Sequence, residues 1–430
     1  MRCRGLRHPS FVDPGGAVRR IALLAAVFVA VVASAPGAAG AGHAWFTAWA
    51  QSQDGRADTP VTGQSLRMIT HLSQGGDAVR VRFQNTFGTG PLTVGHATAG
   101  PGAGGAAVSF TRDLTFAGRP AVTIPAGGEV WSDETRLATR PDSDLAVSLS
   151  VEGTAVPGRH GAALRDNYLT PPGSGDHTGE VSGSAFTSTV GATYVVSAVD
   201  VHNKALTGVV VPFGSSVVDG VGSTNCGPGC TEPAPDRRWT DDLARRMVAA
   251  AVPLAVANAG VSGTTSARSC PAMPPSVAGL DASSRLDRDV LALHGVTAVI
   301  YYYGTNDLAY GCDAAAILDS YRAVFARLRA AGISVYVTPS TPRPGYSDQA
   351  NLARHEIALF VGRWNTCGGT CSGVVDFDTV LADPLKPNSI LPAYDNGDGI
   401  HANAAGQQAL ADFVSLPMLA RSGPVLHTMG

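Results

Sequence analysis

The chain has 430 residues, of which 44% are apolar and 15% charged. That is enough for two ordinary domains with buried cores, and it excludes a largely disordered protein. The formal charge is −3, so net charge offers no general attraction for nucleic acid or anionic lipid.

The first segment reads as an export signal, residues 1–41. Arg2, Arg4, Arg7, Arg19 and Arg20 precede the apolar stretch IALLAAVFVAVVASA, and the small-residue region APGAAGAG follows it. The apolar run falls short of the roughly 20 residues that span a bilayer, which argues against a stable membrane anchor. Removing the segment leaves 26 basic and 33 acidic residues, a charge of −7. It also removes Cys3, leaving an even six cysteines, the pattern of a disulfide-bonded exported chain. Cys226-GPG-Cys230 and Cys367-GGT-Cys371 are matching short loops, and Cys270 with Cys312 is the remainder. Zinc held by the two C-x3-C pairs is the competing reading.

Residues 43–203 are rich in glycine and in short alternating runs such as AVRVRF (78–83) and LAVSLSV (145–151). Period two predicts half-buried strands, and the turn signals GTGP, PAGG and RPDSD separate them at short spacing. With no amphipathic helix in the segment, the expectation is an all-β antiparallel sandwich. No catalytic constellation stands out there.

From residue 205 to 425 the pattern changes. Apolar runs VVV, VPLAVAN, TAVIYYYG, ISVYVT and VVDFD alternate with helix-period segments, which predicts an α/β domain with a parallel sheet covered on both faces. In RRWTDDLARRMV, Trp239, Leu243 and Met247 share a stripe. In DAAAILDSYRAVFARLRAAG, Asp313 is placed to cap the helix and Gly332 to end it. The absence of a low-complexity linker predicts that the two domains abut.

Ligands of open α/β sheets sit beyond the carboxyl ends of the strands. Four runs end there in small or polar residues: GSS (214–216), NAGVSGTT (258–265), GTND (304–307) and TPSTP (338–342). Near the C-terminus, DNGDGIHANAAGQQALADF places Asp398 and His401 three apart, just ahead of a helix. Each piece alone is ordinary: D-x-x-H is usually a surface turn, and strand-end serines usually cap helices. Their order is not ordinary. G-x-S, N-A-G-x-S-G, G-x-N-D and D-x-x-H supply in sequence a nucleophile, oxyanion donors and a base with its carboxylate.

That order resembles the SGNH hydrolases, also called the GDSL esterase/lipase family, over about residues 205–420. The N-terminal half resembles the β-sandwich attached to some exported actinobacterial members. The resemblance implies a flavodoxin-like three-layer α/β domain and acyl transfer with no metal or organic cofactor. It makes Ser216 the nucleophile, His401 the base and Asp398 its partner, with the oxyanion held by Ser216, Gly263 and Asn306. The family's first block reads G-D-S, whereas here Ser215 occupies the aspartate position and offers a second hydroxyl. Asp219-Gly220, placed where the family often has its own D-G, favours Ser216. His160, His202, His294 and His355 show no comparable pattern and read as surface or packing residues.

The implied function is a secreted esterase for short acyl groups, acetyl above all, on a small-molecule or polysaccharide ester. Two alternatives remain: a lipase or phospholipase of the same mechanism, and a catalytically inactive carbohydrate-binding protein.

Overall fold

The computed structural model describes residues 44–227, 230 and 234–422. The predicted export signal lies outside the described residues, as do residues 423–425 of the second predicted domain.

The first half is a β-sandwich built from β1 (Trp45–Ala50), β2 (Val61–Leu72), β3 (Ala78–Gln84), β4 (Leu92–Pro101), β5 (Ser143–Ala155) and β6 (Val196–His202), with short strands at the edges. One sheet runs β1-β6-β3 and continues to Glu129–Trp131. The other runs Ser188–Val190, Asn167–Leu169, β2, β5, β4 and Arg112–Leu114, and every pairing is antiparallel.

The expectation of half-buried strands fails for β5, where Leu145 to Val151 are buried on both faces. The outer face is covered by the chain itself. Arg67 on β2 donates to Ser148 Oγ at 2.8 Å and to the Glu180 carbonyl at 2.7 Å, and its guanidinium lies 4.1 Å from the Phe186 ring. Thr98 on β4 donates to the Thr178 carbonyl at 2.8 Å. Residues 178–186 thereby form a lid whose backbone carbonyls satisfy the outward polar side chains, so alternation marks polarity here and not exposure.

The second half is α/β. Its sheet contains β7 (Gly208–Gly214), β8 (Leu254–Val256), β9 (Val296–Tyr302), β10 (Ser334–Val337) and β11 (Gly373–Val374), all parallel, in the order β8-β7-β9-β10-β11. This is the flavodoxin-like doubly wound order that the family resemblance implies. Pro212 in the central strand has no N–H to donate, and it stands where the neighbouring strand is interrupted: β8 pairs with residues 208–210, and Ala259–Gly260 resume the pairing at 213–214.

Both faces of the sheet are covered. Helix α1 (Ser216–Asp219) follows β7 directly, and α2 (Trp239–Ala249) buries Trp239, Leu243 and Met247 with no exposed surface. The Trp239 ring meets Phe377 edge-on at 5.1 Å, and its Nε1–H donates to the Val217 carbonyl at 3.0 Å. Helix α3 (Thr305–Ala309) follows β9. Helix α4 (Ala314–Ala330) is capped by the Asp313 carboxylate on the Ala316 N–H, and Gly332 just beyond its end has φ +75°. Helices α5 (Asp348–Gly362) and α6 (Ala404–Phe413) complete the layers named here.

The two halves do more than abut. One continuous core runs from Leu66, Phe83 and Val147 of the sandwich to Val211, Phe213, Tyr301 and Phe325 of the α/β half. Polar stitches cross the seam: Ser73 Oγ accepts from the Val256 N–H at 3.0 Å, and Gln74 Nε2 donates to the Leu254 carbonyl at 3.0 Å. His160 is neither a surface nor a simple packing residue, because it reaches across the seam to Asp219.

Replacing Trp239 with alanine should lower stability by about 3–5 kcal/mol in urea denaturation, since it opens a large cavity between α2 and the sheet. Trp239→Phe keeps most of the ring packing but strips the Val217 carbonyl of its donor, so its loss should be smaller, about 1–3 kcal/mol.

Candidate active site

The site begins where β7 stops. Gly214 leaves no room for a side chain: a Cβ would lie 2.3 Å from the Tyr302 carbonyl oxygen and 2.4 Å from Val218 Cγ2. The chain turns there into α1, so Ser216 enters at a helix N-terminus, where backbone N–H groups lack intrahelical acceptors. Gly220, with φ +96°, ends that single turn, and its N–H donates to the Ser216 carbonyl at 2.9 Å.

Ser216 Oγ lies 2.8 Å from His401 Nε2, and His401 Nδ1 lies 2.6 Å from Asp398 Oδ2. The other carboxylate oxygen, Oδ1, accepts from the backbone N–H groups of Ile400 and His401 at 2.8 and 2.9 Å. Burial by itself would raise the Asp398 carboxyl, but the bond from the His401 ring and these two N–H groups outweigh it and hold the carboxyl below its ordinary range. With Asp398 accepting from Nδ1–H, His401 Nε2 is left as an acceptor facing the Ser216 hydroxyl.

The loop carrying Asp398 and His401 is bound to the loop after α1. Asn225 Nδ2 donates to Asn396 Oδ1 at 2.8 Å, and the Ala404 N–H donates to the Asn225 carbonyl at 2.8 Å. A Cβ on Gly222 would lie 2.6 Å from the Ala402 carbonyl oxygen. Asn403 caps α6 through the Gly406 N–H, and its Nδ2 holds the Ala393 and Asp395 carbonyls, each at 3.0 Å.

Gly263 lies beyond the Ala259–Gly260 pairing with φ +80°, a left-handed conformation that disfavours other residues. Among the described residues, neither its backbone N–H nor that of Ser216 has a hydrogen-bond acceptor. Asn306 sits in α3, directly after Gly304, which has φ +107° and whose Cβ would lie 1.9 Å from Ser340 Oγ. Its Nδ2 donates to the Thr264 carbonyl at 3.0 Å, which leaves one amide hydrogen free among the described residues, and its Oδ1 accepts from Arg343 Nη1 at 3.2 Å.

Asp307 accepts from the Ser266 and Ala267 N–H groups at 3.0 and 2.7 Å, joining the third block to the second. Its complete burial pushes its carboxyl up to about 6. Cys270 and Cys312 are bonded, with Cα atoms 4.8 Å apart, and clamp the same two loops. The Cys226–Cys230 and Cys367–Cys371 pairs are closed on themselves as disulfides.

The family model for GDSL-like lipase/acylhydrolase domains matches residues 213–409. The α/β half belongs to this family. The chain is therefore a carboxylic ester hydrolase, and the match begins one residue before the glycine that ends β7. Similar solved structures include a G-D-S-L family protein from Desulfitobacterium hafniense, 20% identical over 49% of this chain and 98% of that one, TM-score 0.36. A carbohydrate acetylesterase from Sinorhizobium meliloti is 19% identical over 47% of this chain and 94% of its own, TM-score 0.35. An acetyl xylan esterase is 17% identical over 48% and 96%, TM-score 0.34. No curated protein matches the chain.

Arg343 carries no signal in the sequence. It lies in the loop after β10 and meets Asn306 only through the fold, 37 residues away. Ser215, in the place of the family's aspartate, is buried, makes no cap bond, and its Oγ has no hydrogen-bond partner among the described residues. Ser215→Ala removes that unsatisfied hydroxyl, so the variant should melt no lower than the parent and keep most of its turnover on an acetyl ester. A loss of turnover beyond tenfold would assign Ser215 a role that its geometry does not supply.

Proposed function

We propose that the chain is a secreted serine esterase that removes short acyl groups, acetyl in the first place, from carbohydrate or related hydrophilic alcohols. The hydrogen-bonded series Ser216–His401–Asp398 carries this reading, because it gives one hydroxyl a base and the base an oriented carboxylate.

In this mechanism His401 Nε2 accepts the Ser216 hydroxyl proton as Oγ attacks the ester carbonyl. The oxyanion is held by the Ser216 and Gly263 backbone N–H groups and by the free Nδ2 hydrogen of Asn306. Collapse expels the alcohol, which takes the proton from His401. Water then enters, His401 deprotonates it, and its attack releases the acid and restores the Ser216 hydroxyl.

The six cysteines paired as disulfides and the leader-like residues 1–41 support secretion. The preference for a hydrophilic alcohol rests on the polar side chains of the loops that carry the site, among them Asn306, Arg343, Asp398 and Asn396, and on the attached β-sandwich by fold-level analogy. A lipase reading draws on one observation: Leu352, Leu359, Trp364 and Leu385 expose large apolar side chains in the second half.

A fluorophosphonate probe should label Ser216, and Ser216→Ala should abolish labelling and turnover together. A folded protein that does not label would instead be the inactive binding protein. Asn306→Ala should lower kcat about a hundredfold, the usual cost of one oxyanion donor. Across esters of increasing acyl length, kcat/KM should peak between acetyl and butyryl, whereas a steady climb to palmitoyl would establish the lipase.

A further inference from the structure

His160 belongs to the sandwich, on the short strand Gly158–His160, and is only 1% exposed. Its Nδ1 lies 2.8 Å from the Ser52 carbonyl oxygen. Its Nε2 lies 3.1 Å from the Ala162 carbonyl oxygen and 3.1 Å from Asp219 Oδ1. All three neighbours are acceptors only, so both ring nitrogens must carry protons. The ring is a buried imidazolium.

Its counterion, Asp219, is the last residue of α1, one turn beyond Ser216. The second Asp219 oxygen, Oδ2, accepts from the Ser262 hydroxyl at 2.6 Å and from the Ser262 N–H at 3.2 Å, immediately before Gly263. The same carboxylate therefore grips both the turn that carries the nucleophile and the loop that carries an oxyanion donor. Gly260 shows how closely these pack: a Cβ there would lie 2.1 Å from the Asp219 backbone nitrogen. A second link runs parallel, with Arg238 donating from Nε to the Asp219 carbonyl at 2.8 Å and from Nη2 to the Ala163 carbonyl at 2.6 Å.

Resting on the serine-esterase reading, we propose that His160 is a positioning residue of the site: the sandwich holds the Ser216 turn and the Gly263 loop in register through the His160–Asp219–Ser262 chain. A buried ion pair is a poor source of net stability, because desolvation offsets its attraction. What this one fixes is geometry. Two loops that must present donors to one oxygen share a single carboxylate, and that carboxylate is oriented by a cation from outside the α/β half.

The charged groups that face His160 are Asp219 from α1 and Asp54 from the segment after β1, whose carboxylate accepts from the Gly161 N–H; Arg238, ahead of α2, acts on Asp219 from its other side. Burial alone would lower the imidazole, but Asp219 and Asp54 outweigh it and push it up to about 9. The sign follows. The brace is fully present below the ordinary histidine value of 6.5 and is lost as pH rises through about 9, when the ring would face Asp219 without its charge.

The test is the rate of fluorophosphonate labelling, with kcat and KM on an acetyl ester, from pH 6 to 10. The wild type should lose activity on an alkaline limb near pH 9. His160→Gln, a donor that does not titrate, should lower kcat and the labelling rate about tenfold at pH 7, leave KM within twofold, and lack that limb. Ser262→Ala cuts the chain at its far end without touching the sandwich and should lower kcat in the same way, so it decides the matter if His160→Gln does not fold. Wild-type kcat in Ser262→Ala, or a His160→Gln protein with wild-type kcat and the same alkaline limb, overturns the proposal while leaving Ser216 as nucleophile. A folded wild type that does not label overturns the esterase reading itself, and an adduct on any residue but Ser216 overturns the nucleophile assignment; either takes the inference with it.

Discussion

The abrupt end of the central strand is the constraint on which the site depends. Val209 to Phe213 are buried on both faces, and Gly214 is hemmed in by the Tyr302 carbonyl and Val218, so the chain can leave the sheet only there and only without a side chain. Leaving at that point sets Ser216 in the first position of a helical turn, its N–H without an acceptor among the described residues and its hydroxyl facing the loop that carries His401. The position of the Ser216 hydroxyl, the proposed nucleophile, is thus a consequence of packing in the sheet, before any partner is considered.

The partners are then delivered by the ends of neighbouring strands, and each delivery relies on a backbone position that tolerates little but glycine. Gly263 and Gly304 have positive φ, and Gly304 presses against Ser340 at the foot of the next loop. These are turns that a parallel sheet requires at its carboxyl edge. The loops are then locked to one another by carboxylates and by a disulfide: Asp307 and Cys270–Cys312 bind the second block to the third, and Asp219 binds the first to the second. Rigid oxyanion donors are worth more than mobile ones because no reorganisation is needed as charge develops.

The sandwich takes part in this arrangement. Its core continues into that of the α/β half, and its His160 and the Ala163 carbonyl meet Asp219 and Arg238 directly beneath the nucleophile turn. Separation into two independently folding pieces would expose apolar surface on both and leave a carboxylate buried without its cation. The composition change near residue 205 therefore marks a change of architecture within one packed body.

The parallel sheet, the helix stripes and the order of the site blocks were legible in the sequence, because each depends on residues close together along the chain. Period two and period 3.6 are local, a capping aspartate acts three residues away, and Asp398 and His401 bond within a single turn. The burial of Leu145 to Val151 on both faces of β5 was not legible, since the cover comes from residues 178–186, whose backbone carbonyls satisfy Arg67 and Thr98 from far along the chain. Nor were Arg343 on Asn306 and His160 on Asp219, which meet across 37 and 59 residues. The sequence by itself determined which residue types stand at the strand ends, because backbone sterics and local hydrogen bonds select them. Only the tertiary structure decided which distant charges face them, because a buried ion pair is specified by the packing that surrounds it and leaves no periodic trace in the chain.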